Sequence, residues 1–315
     1  MNDPKRRTAF TLVELLVVIA IITTLMAITI PAIMKVREAS HKATCANNLR
    51  QLAIAMHHFH GDHDYFPCGQ VGPYVPVPGR PYYGWGPAST GWSFLAKMLP
   101  YFEQDELFAH GRLPNATLAQ SGVCDKRLPV LLCPSDNAFR AGARTDAGNM
   151  TGFPVGLTNY KGVSGSNWGY DKGENVWFAT DWKHLGTSGS YDGLIENDGL
   201  LCRADITRPP RIADIQDGSS NTFMLGEDIP EKNRWLSWPY ANNCYGTCAI
   251  APNQMNYDPF DWHNVWSFRS RHPHGLQFAF ADGSVRFVKD SIKLDLYWAL
   301  STIRGSEVVD VSMLD

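Results

Sequence analysis

The chain has no strong excess of charge. Its 28 Lys and Arg stand against 31 Asp and Glu, a net charge of −3. No basic patch with interleaved aromatics occurs, so nucleic acid is not an expected partner. No internal repeat of fixed period is present, which argues against a repeat architecture. Cys244 and Cys248 have no second close cysteine pair beside them, so spacing predicts no zinc site. Neither Gly162-Val163-Ser164-Gly165 nor Gly186-Thr187-Ser188-Gly189 completes a G-x-S-x-G elbow, and no other motif places a nucleophile. An enzyme is therefore not expected, and neither a cofactor nor a metal is implied.

What the chain does possess is a hydrocarbon-length apolar run. Residues 3–34, DPKRRTAFTLVELLVVIAIITTLMAITIPAIM, place a short basic leader before it. The run carries one charge, Glu14. A carboxylate inside a span costs on the order of 2.5–3.5 kcal/mol at a helix centre and marks function more often than filler. A secretory signal would have an apolar region of about 7–15 residues before an A-x-A-like site, and this run is far longer. A plain anchor would not require Glu14. Pro31 either bends a helix that continues on both sides or closes the span at the membrane edge.

The string Ala9-Phe10-Thr11-Leu12-Val13-Glu14 resembles the processing site of type IV prepilins and of the related pseudopilins of type II secretion. That resemblance implies cleavage between Ala9 and Phe10 by a prepilin peptidase and N-methylation of Phe10, with Ala9 standing where the family usually has Gly. It also gives Glu14 and Pro31 roles in assembly. The chemistry agrees: cleavage leaves an ammonium at the end of an apolar helix, and a carboxylate one turn away on the same or a neighbouring chain neutralises it.

Beyond Pro31, Leu49, Leu52, Ala53, Met56 and Phe59 recur at three- and four-residue intervals, the stripe of a helix with one face on a body. Lys35, Arg37, Glu38, Lys42, Asn47 and Arg50 supply the polar positions. Phe10 to about His60 would make a rod of ~75 Å. The divisions are then a leader over 1–9, a transmembrane segment over 10–34, an amphipathic continuation over 35–64 and a head over 65–315, enough chain for one large core. Gly 27, Pro 20 and 12% aromatics suit a loop-rich, β-containing body. The stretch from Cys68 to Gly86 reads as an ordered surface loop. Basic residues on both sides of the span leave orientation open by charge alone. The leader type and seven cysteines, which suit an oxidising compartment, put the leader in the cytoplasm and the head outside.

The segment Leu276-Gln277-Phe278-Ala279-Phe280-Ala281-Asp282-Gly283-Ser284-Val285-Arg286-Phe287-Val288 alternates large apolar with small or polar residues around Asp-Gly. It predicts a hairpin with a two-residue turn in which Gly283 supplies positive φ. His272 lies ten positions before Asp282, an H-x9-D-G pattern. This is similar to the C-terminal motif of a large prepilin-processed group, abundant in planctomycetes and known by a domain of unknown function (DUF1559). Cys45-Ala46-Asn47-Asn48-Leu49, Leu132-Cys133-Pro134-Ser135-Asp136 and Asp217-Gly218-Ser219-Ser220-Asn221-Thr222 with Glu227 resemble further landmarks of that group. From those matched segments the resemblance favours a Cys45–Cys133 disulfide; spacing alone leaves connectivity open. The family brings no established chemistry.

Several clusters carry two readings. His272 and Asp282 either form an acid–base or metal pair, or Asp282 and Gly283 build the turn while His272 braces the strand. Asp217, Asn221 and Glu227 offer oxygen ligands for calcium, or an ordinary Asp-Gly turn. His57, His58, His60, Asp62, His63 and Asp64 form a metal-capable run, or a polar helix end. Trp168, Tyr170, Trp177 and Trp182 are a sugar-stacking platform or loop anchors. Ile292, Leu296, Leu300 and Ile303 predict a helix capped by Asp290 or Ser291 and stopped at Gly305.

The expected architecture is α+β and pilin-like: a long N-terminal helix on an enlarged antiparallel β-rich head. The expected role is a processed, membrane-anchored structural subunit of the cell envelope, polymerising through its helix or staying anchored. Its partners would be the prepilin peptidase, like pilin or pseudopilin subunits, an inner-membrane assembly platform and membrane lipid. The alternative is a membrane-tethered recognition module that binds glycan or another surface ligand without polymerising.

Overall fold

A computed structural model describes residues 12–70, 84–136, 142–166, 170–171, 176–177, 198–203, 209–261, 265–306 and 314. Ala9, Phe10, most of the 68–86 loop, Gly186 to Gly189, Trp168, Trp182 and the side chains of Tyr170 and Trp177 lie outside the described residues. The chain divides into two compact units, residues 1–43 and 44–315, and the division falls inside helix α1, Leu12–His63.

In the first unit α1 is a bare apolar helix. Leu12, Val17, Ile22, Leu25, Ile28 and Ile33 are all exposed, and the segment is long and apolar enough to cross a membrane. Three of its threonines bond within the helix. The hydroxyls of Thr23, Thr24 and Thr29 donate to the carbonyls of Ile19, Ala20 and Leu25 at 2.9, 2.8 and 2.7 Å, as hydrocarbon surroundings require. Helical backbone continues through Pro31. Having no N–H, this proline leaves the carbonyl of Ala27 without its usual i+4 donor.

The second unit is the head, and it includes the last part of α1. The predicted stripe is buried: Leu49, Leu52, Ala53, Met56 and Phe59 all enter the larger apolar core, while Ile54 on the opposite face is 49% exposed. Around this helix lie short helices α2 (Phe94–Lys97), α3 (Asp105–His110) and α4 (Leu118–Ser121), and a two-stranded ladder of β1 (Ala143–Arg144) with β2 (Val155–Gly156). A second small ladder pairs β4 (Tyr170–Asp171) with β5 (Val176–Trp177).

The main sheet has the order β7-β3-β6-β8-β9. Its strands are β3 (Tyr160–Val163), β6 (Phe223–Glu227), β7 (Tyr245–Gly246), β8 (Gly275–Phe280) and β9 (Val285–Lys289). All neighbours are antiparallel except β3 and β7, which are parallel, so the sheet is mixed rather than purely antiparallel. The two-residue β7 is delivered to the edge by a long excursion from β6, long enough to reverse direction. Both faces of β8 are covered. Leu276, Phe278 and Phe280 face Phe223, Val288, Tyr297 and Leu300, whereas Ala279 joins the core that holds the helical stripe. The alternation seen in the sequence thus separates two cores. Gly226 fits beneath this packing because a Cβ there would stand 2.5 Å from the rings of both Phe268 and Phe278.

The predicted hairpin is β8–β9, but its connection has three residues, not two. Ala279 pairs with Val285, Phe280 N–H donates to Ser284 O at 2.8 Å, and Gly283 N–H donates to Phe280 O at 2.9 Å. This is a turn closed by a left-handed residue, and Gly283 supplies it at φ +85°. The nearest atom to an added Cβ there is His57 Nε2 at 3.9 Å, so Gly283→Ala would meet only backbone strain. We expect it to lower unfolding stability by about 1–2 kcal/mol; denaturant unfolding of the full chain in detergent checks this, and an unchanged midpoint contradicts it.

The C-terminal helix α5 (Leu294–Ala299) is shorter than expected. Its N-cap is Lys293, with no side-chain cap bond, in place of Asp290 or Ser291. Ile292 precedes it and Ile303 follows it. Tyr297 and Leu300 nevertheless pack on the hairpin's apolar face.

Candidate functional site

Four chain segments far apart in sequence meet at the end of β6. Cys45 comes from α1 and Cys133 from the loop after Pro129–Leu131; they form a disulfide with a Cα separation of 5.4 Å across 88 residues. Glu227 ends β6, and His272 lies three residues before β8. Imidazole Nε2 stands 3.3 Å from Glu227 Oε1 and 3.6 Å from Cys133 Sγ. One sulfur, nitrogen or oxygen from each of the four residues lies within 4.8 Å of every other, and all four are buried.

Local structure explains the convergence. Asn48, one helical turn after Cys45, donates through Nδ2 to Leu132 O and to Tyr160 Oη, each at 3.2 Å, so α1 holds the backbone next to Cys133. Asn159 is the bracket. Its Oδ1 accepts from Cys133 N–H at 2.9 Å, and its Nδ2 donates to Asp136 Oδ2 at 2.8 Å and Asp228 O at 3.0 Å. Glu227 Oε2 accepts from Gln277 N–H at 2.8 Å, while Glu227 Oε1 receives no hydrogen bond. Ser135 Oγ lies 3.5 Å from His272 Nδ1. Burial, and then the charge of Glu227, pushes the Tyr160 phenol well above its ordinary range.

A fully buried ionic network adjoins the cluster. Asp228 receives Lys161 Nζ at 2.6 Å and Arg269 at 3.1 Å, and Asn233 Nδ2 donates to it at 2.8 Å. Lys161 also donates to Ser267 O at 2.7 Å. Burial lowers the Lys161 ammonium from 10.5 to about 8, against the upward pull of Asp228. Buried charges persist only when paired and hydrogen-bonded. This network fixes the backbone beside Glu227 and the 265–269 segment that leads to His272.

The structure separates the other predicted groupings. His272 and Asp282 sit at opposite ends of β8, whose six residues keep them roughly 20 Å apart. Asp282 Oδ1 accepts from Ser284 N–H at 2.8 Å, so Asp282 belongs to the turn. Asp217 does not share a cation with Glu227: its carboxylate accepts from Gly305 N–H, Ser306 N–H and Thr302 Oγ1 at 2.8, 2.7 and 3.1 Å. Asn221 donates to Asp217 O at 3.2 Å, and Gly218 takes φ +93°. That stretch is a staple for the C-terminal turn, a full strand away from Glu227.

The histidine run ends α1. His60 Nε2 accepts from Ile212 N–H at 3.1 Å, His63 stacks on Phe59 at 4.1 Å, and Asp62 accepts from Tyr101 Oη at 2.9 Å. Burial, and then His57, lowers the His60 value; burial, with Asp62 beside it, pushes the Tyr101 phenol to about 12. Among the other cysteines, Cys68 and Cys202 place their sulfurs 3.2 Å apart.

Sequence reasoning missed Asn159, Tyr160, Lys161, Asp228 and Arg269. Thr158, Asn159, Tyr160 and Lys161 are all buried, yet no periodicity in the sequence announces them. Cys45, Cys133, Glu227 and His272 stand in the sequence as separate landmarks.

Comparison with known families gives two matches. The family described as "Protein of unknown function (DUF1559)" matches residues 34–295, and the "Prokaryotic N-terminal methylation motif" matches residues 4–30. No match is found among curated proteins or among solved structures.

Proposed function

The chain belongs to the DUF1559 family and opens with a prepilin-type methylation motif, and from that premise we propose that it is a pilin-like structural subunit of the cell envelope. A prepilin peptidase cuts between Ala9 and Phe10 and methylates the new terminus. The apolar part of α1 then stays in lipid, with the head on the extracytoplasmic side. Like subunits meet through this helix on an inner-membrane assembly platform of the type II secretion or pilus kind. The head performs no catalysis in this reading; the His272 and Glu227 side chains face a sulfur already joined to Cys45.

One observation carries the proposal. The methylation-motif match covers the same residues that hold Phe10, Glu14 and the start of a helix long and apolar enough to span a membrane. Glu14 has the charge to answer a freed N-terminal ammonium as subunits stack.

N-terminal sequencing and intact mass of protein taken from membranes are expected to show Phe10 first and one added methyl group. A mature chain that still begins at Met1 overturns the reading. Glu14→Ala should abolish recovery of crosslinked oligomers while leaving the head folded. Oligomers unaffected by that change would remove Glu14 from assembly, and their absence from the unaltered protein would move it to the tethered-module class.

A further inference from the structure

We propose that Cys45, Cys133, Glu227 and His272 constitute a site for a thiophilic divalent cation of the zinc class, available once the disulfide is reduced. The inference does not depend on the structural role above, because all four ligands belong to the head unit.

Donor chemistry is the first support. Two thiolates, an imidazole and a carboxylate are the ligand types that zinc accepts in tetrahedral sites, and the sulfurs disfavour calcium and magnesium. Geometry is the second. Bonds of about 2.0–2.3 Å around a tetrahedral centre set ligand-to-ligand edges at about 3.3–3.8 Å. The Nε2–Oε1 and Sγ–Nε2 separations are 3.3 and 3.6 Å. Third, Glu227 is 2% exposed and directs into the cluster an oxygen that receives no hydrogen bond although it stands 3.3 Å from His272 Nε2, and buried polar atoms seldom go without a partner. Its other oxygen is held by Gln277 N–H, and His272 Nδ1 faces Ser135 Oγ. Such outer partners orient metal ligands.

The exchange also conserves local charge. A dithiol reductant supplies two electrons and two protons: it leaves as its own disulfide, and Cys45 and Cys133 become thiols. The incoming divalent cation displaces both thiol protons to solvent. A dication with two thiolates is neutral, as the disulfide was, so the exchange leaves the charge balance around Glu227 unchanged. The neighbouring set of Lys161, Arg269 and Asp228, with two positive charges against one negative, faces the same balance in either state. The helix stays joined to the head by a covalent bond when oxidised and by coordination when reduced.

The test uses the full chain in detergent micelles, reduced with a dithiol, desalted without oxygen and titrated with Co2+. The expected result is saturation at one ion per chain with a sulfur-to-cobalt charge-transfer band and tetrahedral d–d bands, both absent from the oxidised protein. Zn2+ should displace the colour and slow alkylation of Cys45 and Cys133. Glu227→Gln keeps the side-chain volume and one acceptor oxygen and should weaken binding by about tenfold or more; His272→Ala should abolish the tetrahedral spectrum. Cys68→Ser should leave both unchanged. No colour in the reduced protein, equal colour in the oxidised protein, or colour indifferent to both Glu227→Gln and His272→Ala overturns the assignment.

Discussion

Cys45→Ala is expected to lower the unfolding free energy of the oxidised, metal-free protein by about 4 kcal/mol. The bond it removes spans 88 residues, and restricting the unfolded chain over a loop of that length contributes about 4–5 kcal/mol in the chain-entropy account. Alanine suits a helix interior, so little of the loss comes from α1 itself. Both sulfurs are buried, which adds a small cavity. Denaturant unfolding in detergent, with the transition midpoint and slope both measured, tests this. Reduction of the unaltered chain in the presence of a chelator should produce a drop of the same size. A loss below about 1 kcal/mol in both experiments would mean that Asn48 and its bonds to Leu132 and Tyr160, rather than the disulfide, hold α1 to the head.

The second large effect belongs to Asp228. Asp228→Ala removes the counter-ion of two cations that are 0% and 1% exposed, a change that costs about 3–5 kcal/mol when it strands buried charge. It carries a pH signature. Lys161 titrates near 8 in the folded chain against 10.5 when free, so the unfolded chain binds more protons between those values and stability rises with pH across that window. Without Asp228, which pulls the value up, the folded value falls further and the rise starts lower. The variant should therefore regain part of its lost stability on the alkaline side. A variant equally destabilised at every pH would show that lost packing, and not stranded charge, dominates. Because Asp228 adjoins Glu227 and its carbonyl accepts from Asn159, the same substitution should loosen the four-residue cluster.

Local elements were legible from the chain alone. The stripe from Leu49 to Phe59 is buried as its spacing predicts, and the β8–β9 hairpin forms where apolar alternation and Asp-Gly place it. Even there the turn length differed, because dipeptide chemistry specifies a left-handed residue but not how many residues share the bend. The short strands fared worse. Two-residue β7 and the parallel β3–β7 pairing leave no periodic trace, since so brief a strand has no pattern to repeat. The α5 boundaries shifted for a similar reason: Ile292, Leu296 and Leu300 do share one apolar cluster, but Ile303, in irregular chain beyond the helix, joins the other core.

By itself the sequence determined what depends on neighbours along the chain. A long apolar helix with one carboxylate, a buried amphipathic continuation and a glycine-closed hairpin each follow from residues a few positions apart, where backbone geometry and solvent preference act directly. Only the tertiary structure decided that His272 faces Glu227 and the Cys45–Cys133 bond instead of Asp282, and that Asp217 is a staple instead of a ligand. Those outcomes depend on which buried polar atoms find partners when distant segments close on one another, and burial makes that pairing obligatory without recording it in any local pattern.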